Sequence, residues 1–240
     1  MQSERFILSE SQAIDAIANA DKNTVIILDF DETLLLRNST AEYLNNLRPR
    51  LIGFILLTVL KLIRPWKWLP APFRGDNTKD WFLVVVPTIL LPWTLLLWQK
   101  KARQLAENHG NLELMAAVKS NNYSQIVFAS LGFKFIISPI LQQLPLKHLV
   151  ETDERKYLVN LVSCRFWQGA KDRNKGKLLM IQEALSNEAI ASAIVVTDSK
   201  DDLPLLQVVK YPCLIVWSSA KYINPFQDFW LSSLINRLNE

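Results

Sequence analysis

Short apolar runs alternating with polar, helix-like stretches set the rhythm of the chain. Four runs read as strands, each followed by polar residues: TVIIL at 24–28, QIVFA at 125–129, AIVVT at 193–197 and CLIVW at 213–217. Helical patterns lie among them, in SESQAIDAIANA, STAEYLNNL, LELMAAVKS and KLLMIQEAL. Ser9 with Gln12, and Ser39 with Glu42, are spaced as capping boxes for the first two. This alternation predicts an α/β fold, a parallel sheet covered by helices, with ligands gathering at the carboxyl ends of the strands. The acidic stretch DFDET, Ser130 and Asp198 all fall at such ends.

Residues 37–104 break the alternation. LIGFILLTVLKLI at 51–63 is followed by RPWKWLPAPFRG and then by WFLVVVPTILLPWTLLLW at 81–98. Five of the eight tryptophans lie between Trp66 and Trp98, at the edges of apolar runs with Lys and Arg just beyond, the pattern of a membrane interface. The first run, at about 1.5 Å per residue, reaches about 20 Å, short of a hydrocarbon core of about 30 Å. Pro87 and Pro92 interrupt the second. Because Asp29 precedes this stretch while Ser130 and Asp198 follow it, a shared site requires an even number of crossings. A spanning hairpin would put Lys61, Arg64, Lys67, Arg74 and Lys79 on the far side, against the positive-inside tendency. The reading is therefore a core of residues 1–36 and 105–240 with an inserted helical cap, 37–104, forming a re-entrant or surface-lying hairpin. A two-helix span and an apolar lid packed on the core are the alternatives.

Composition sharpens this. Half of the 240 residues are hydrophobic, enough for a sizeable core, and the formal charge is +4. That charge is uneven: Arg48 to Arg103 holds ten Lys or Arg against Asp76 and Asp80, leaving the remainder net acidic. An anionic membrane surface, rather than nucleic acid, is the expected partner of residues 48–103. Two cysteines in apolar surroundings, Cys164 and Cys213, and a start, MQSERFILSESQ, unlike a secretory signal imply a membrane-associated protein with its site on the reducing, cytoplasmic side.

The crowding of Asp29, Asp31 and Glu32 directly after a buried strand needs compensation by a cation or a substrate. A strand ending in D-x-D-x-T, a second ending in a small hydroxyl residue, a lysine at a helix start and a late strand ending in paired acids form a phosphoryl-transfer constellation. Asp29 is placed to take a phosphoryl group as an aspartyl phosphate. Asp31, two residues on and on the same side of an extended strand, is placed to protonate the leaving oxygen and then to activate water. A hard divalent ion, Mg²⁺, held by Asp29, Asp198 and a backbone carbonyl, would offset the charge.

At these residues the chain resembles the haloacid dehalogenase (HAD) superfamily, within it the phosphoserine-phosphatase-like branch. Asp29, Asp31 and Thr33 match the first motif. FASLGF matches the second, and the resemblance implies that Ser130 and the Gly132 amide hold the phosphate. NKGKLLMI offers Lys175 and Lys177 for the third; K-G-x-apolar-apolar at a helix start, 23 residues before the late acid, favours Lys175 for binding and stabilising the phosphoryl group. TDSKDDLPLL matches the fourth and implies Asp198 and Asp202, beside Asp29 and Asp31, around the metal. Glu32 and Thr197 stand where the family more commonly has Gly. The implied fold is a HAD-type Rossmann-like core with an inserted, hydrophobic helical cap, and similar membrane-adapted caps serve phosphatases of phosphatidylglycerophosphate or polyprenyl-linked phosphates. The implied activity is Mg²⁺-dependent phosphomonoester hydrolysis on a membrane lipid phosphate. A phosphatase for a soluble, phosphoserine-like metabolite and a non-catalytic membrane adaptor are the alternatives. Thr33 is expected to bond the loop after the strand, His109 and His148 to lie at the surface, and FQDFW to pack in the core or at an interface.

Overall fold

The computed structural model describes residues 6–21, 24–120, 125–146 and 158–226; His148 and residues 227–230 of FQDFW lie outside them. The elements run α1 (Glu10–Ala18), β1 (Val25–Asp29), α2 (Ser39–Asn45), α3 (Arg50–Ile63), α4 (Lys79–Leu90), α5 (Thr94–His109), α6 (Leu112–Ser120), β2 (Gln125–Phe133) and α7 (Lys134–Leu141). They continue with β3 (Leu158–Cys164), α8 (Gly169–Gln182), α9 (Asn187–Ala191), β4 (Ile194–Thr197), α10 (Leu203–Leu206) and β5 (Tyr211–Leu214).

The five strands form one parallel sheet in the order β3-β2-β1-β4-β5. β1 is central and all five of its residues are buried, which explains the uninterrupted run VIIL: a parallel strand covered on both faces has no polar side. The chain winds outward from β1 in both directions, so the crevice between the ends of β1 and β4 is the topological switch point where such sheets bind ligands. Asp29 ends β1 and Thr197 ends β4.

The capping box of Ser9 and Gln12 is present. The one expected at Ser39 is not: Asn38 caps α2 by accepting from the Ala41 N–H, and the Ser39 N–H is turned to Asp31. β3 is an edge strand that periodicity did not announce. β5 begins two residues before CLIVW, with Pro212 tolerated because the strand is at the sheet edge.

The insertion is helical and grows out of the core. α5 runs unbroken past position 104 and packs on α7; Trp98 is 1% exposed and donates its indole N–H to Ile136 O at 3.0 Å. Tyr43 of α2 stacks edge-on against both Trp98 and Phe135. Trp66 is also buried, and Trp81 donates to Phe166 O, so of the five clustered tryptophans Trp68 and Trp93 are the two on the outside. No single described helix is long and apolar enough to cross a membrane. The segments Asp76–Leu90 and Thr94–His109 meet at a 119° bend.

Candidate active site

The loop leaving β1 is folded back on itself. Leu35 N–H donates to Phe30 O, Glu32 N–H to Arg37 O, and Asn111 ties the loop to α6 by donating to Thr33 O while accepting from Leu114 N–H. Glu32 takes φ 59°, the left-handed region that glycine favours, which accounts physically for the glycine the family resemblance implies there. This turn sets the carboxylates of Asp29 and Asp31 at the mouth of the switch-point crevice.

Asp29 is 7% exposed. Its Oδ1 accepts from the Phe30 N–H at 2.7 Å and lies 2.9 Å from Lys177 Nζ, and its Oδ2 accepts from the Thr197 hydroxyl at 2.8 Å. Asp31 turns Oδ1 to the Ser39 N–H at 2.6 Å and Oδ2 to the Ser130 hydroxyl at 3.4 Å. Burial pushes both carboxyls up to about 6, against Lys177 at Asp29 and against the Ser39 hydrogen bonds at Asp31. Asp198 is also raised to about 6, by burial and then by the charge of Glu32, while Thr33 donates to its Oδ1 at 3.1 Å. Thr33 thus does more than close its loop, since it joins the ends of β1 and β4.

Ser130 and Gly132 sit in an irregularity of β2, where the pairing with β3 shifts between Ala129 and Phe133. The Gly132 N–H donates to Ser130 Oγ at 2.9 Å. A Cβ at Gly132 would stand 2.9 Å from Ile137 Cδ1, 3.1 Å from Ser130 Oγ and 3.2 Å from Asp31 Oδ2, so a larger residue would crowd the carboxylate.

The lysine expectation is corrected. Lys175 is paired with Glu183 and is not among the residues lining the crevice, whereas Lys177, 9% exposed, reaches Asp202 Oδ2 at 2.6 Å as well as Asp29. The cause is Gly176, whose φ of 78° kinks α8 so that its second segment starts at Lys177. Burial works against the charge on Lys177, but Asp29 and Asp202 outweigh it and hold its proton more firmly than in water. Asp202 shares both side-chain partners of Asp29, since its Oδ2 also lies 2.5 Å from the Thr197 hydroxyl oxygen.

These groups line one cavity of about 440 Å³, roofed by Leu57 and Lys61 of α3 and by Asp80 and Leu83 of α4. Arg173, which sequence reasoning missed, pins the roof to the floor: it donates to Asn77 O at 2.7 Å, to Asp80 Oδ2 at 2.6 Å and to Leu131 O at 2.6 Å. Asp29 and Asp198, hard oxygen donors whose charge burial disfavours, suit Mg²⁺. Among the described residues no group of three or more His, Cys, Asp or Glu side chains is placed to hold a metal ion.

A doubly wound parallel sheet with this acidic site at its switch point defines a Rossmann-like α/β fold with its candidate site where such folds bind ligands. The model of the haloacid dehalogenase-like hydrolases matches residues 26–207, and the chain belongs to that family. A protein with unknown function from Bordetella pertussis Tohama I has a similar fold, with a TM-score of 0.50 and 14% identity over 90% of this chain and 96% of that one. No curated protein matches the chain.

Proposed function

We propose that this hydrolase is a phosphomonoesterase that works through phospho-Asp29 on a phosphate carried by a membrane lipid. The reading rests on the meeting of Asp29, Asp31, Ser130 and Lys177 in one cavity. An Asp29 oxygen attacks phosphorus, the bond from phosphorus to the ester oxygen breaks, and Asp31 gives its proton to the departing alkoxide. Asp31 then takes a proton from the water that attacks the phosphoryl group, releasing phosphate and restoring the Asp29 carboxylate. A carboxyl titrating near 6 suits both tasks. Ser130 and the Gly132 amide steady the phosphate oxygens, and Lys177 offsets charge at Asp29. Asp29 and Asp198 would hold Mg²⁺, which when bound would supply charge neutralisation for the incoming phosphate.

The lipid part of the proposal is supported by the outer face of the cap. Thirteen of the 21 large hydrophobic side chains exposed among the described residues lie between Leu51 and Leu97, including Leu62 at 80% and Leu96 at 78%. On α3, Ile52, Ile55, Val59 and Leu62 form an apolar stripe that faces outward, while Leu57 and Lys61 face the cavity. One helix therefore separates an apolar surface from the acidic site, flanked by the cations of the same segment.

The test compares phosphate release from a phosphatidyl phosphomonoester in mixed micelles with release from phosphoserine and a sugar phosphate. A much higher kcat/KM on the lipid is expected. Replacing Ile52, Ile55, Val59 and Leu62 with glutamine should remove that advantage and leave soluble ester hydrolysis intact. Equal efficiency on both substrate types would favour a soluble metabolite instead.

A further inference from the structure

A second cavity, of about 630 Å³, opens where the two ends of the cap rejoin the core. Arg37, Arg48, Arg50, Lys100 and Lys101 line it, against Glu42 as the acid among its lining residues. Such a concentration of like charge around one hollow raises the free energy of the empty state. His109 registers it: burial, then Arg37, lowers its pKa. Two buried nitrogen atoms of lining residues, Arg37 Nε and Asn46 Nδ2, have no hydrogen-bond partner. α3 also begins here, at Arg50, with no side chain capping its N-terminus and no acid in its first turn, so the positive end of a 14-residue helix adds to the field.

We infer that this cavity is a second anion site, separate from the Asp29 crevice, that takes a phosphate group. Its surroundings favour phosphate on a phospholipid headgroup: Leu97, 45% exposed, lines it, and Leu51 and Ile52 next to Arg50 begin the outward apolar stripe of α3. A lipid with its phosphate among these cations would lay its chains along that stripe. Free phosphate offers the same oxygens without the chains, and the experiment separates the two sources.

The reporter is the His109 imidazole, followed by NMR as inorganic phosphate, phosphatidylglycerol vesicles or phosphatidylcholine vesicles are added. His109→Gln assigns the signal. A phosphate anion nearby favours the protonated ring, so the pKa of His109 should rise. If the occupant is a lipid headgroup, phosphatidylglycerol vesicles raise it beyond the effect of saturating inorganic phosphate. If inorganic phosphate gives the whole effect, the ligand is the free ion. Lys100→Ala with Lys101→Ala should abolish the response and weaken phosphatidylglycerol vesicle binding by on the order of 30-fold. Hydrolysis of p-nitrophenyl phosphate should stay unchanged, so failure here is distinct from failure of the catalytic reading. Arg64→Ala with Arg74→Ala, the same charge change elsewhere on the cap, should leave the His109 response in place. Absence of a His109 response to either phosphate source, or its survival in the Lys100/Lys101 variant, overturns the proposal.

Discussion

Lys177 Nζ stands 2.9 Å from Asp29 Oδ1 and 2.6 Å from Asp202 Oδ2, so one ammonium bridges the end of β1 to the turn after β4. Removing it leaves two buried carboxylates facing each other. Lys177→Ala should lower turnover by on the order of 10² or more, while Lys175→Ala, which removes only the partner of Glu183, should change it little. Steady-state kinetics on one soluble phosphomonoester decides the order.

Asp29→Asn should abolish turnover and leave the fold intact, because the amide keeps the shape but cannot form the acyl phosphate. Asp31→Asn should reduce turnover by on the order of 10² or more through loss of proton transfer. Beryllium trifluoride with Mg²⁺ should raise the melting temperature of wild type and not that of Asp29→Asn.

The Thr197 hydroxyl has one proton but lies 2.8 Å from Asp29 Oδ2 and 2.5 Å from Asp202 Oδ2. It holds the Asp29 carboxylate in place against the lysine. Thr197→Val should lower kcat by roughly tenfold with little change in KM, a loss of about one hydrogen bond's worth of orientation. Thr197→Ser should restore it.

Because Asp31 must be protonated in the first step and burial raises it to about 6, kcat/KM should fall as pH rises above about 6, and Asp31→Asn should remove that fall. Folding stability follows from the same shifts. Carboxyls at Asp29, Asp31 and Asp198 that titrate near 6 when folded and near 3.8 when unfolded keep protons that the unfolded chain releases. Their contribution is therefore full below about pH 4 and lost as pH rises through about 6. Mg²⁺ should raise the melting temperature strongly at pH 7.5 and weakly at pH 5, where the carboxyls hold protons instead.

Much of the site was legible because its residues are fixed by strand ends. VIIL followed by DFDET announces a buried strand and its loop, and QIVFAS and AIVVTD do the same for β2 and β4. What escaped depends on backbone geometry or on tertiary partners. The choice of Lys177 over Lys175 turns on the left-handed φ of Gly176, for which the Gly itself, between the two lysines, was the available sign. β3, at the sheet edge with Asn160 and Ser163 in it, carries a weaker apolar signal than the central strands. Arg173 gives no local cue, since its three acceptors lie in the cap and in the irregular end of β2. Tryptophan clustering in the cap was ambiguous for a physical reason: a large amphipathic ring serves equally to anchor a helix to a core, as Trp98 does, and to face outward, as Trp68 does.

The central claim is that Asp29 carries the phosphoryl group, and covalent trapping tests it most directly. Protein mixed with substrate, acid-quenched in the steady state and reduced with borohydride should yield homoserine in place of Asp29 on peptide mass spectrometry, since an acyl phosphate is reduced and a free carboxylate is not. Conversion at Asp31 instead, or no conversion anywhere while phosphate is being released, would contradict the account.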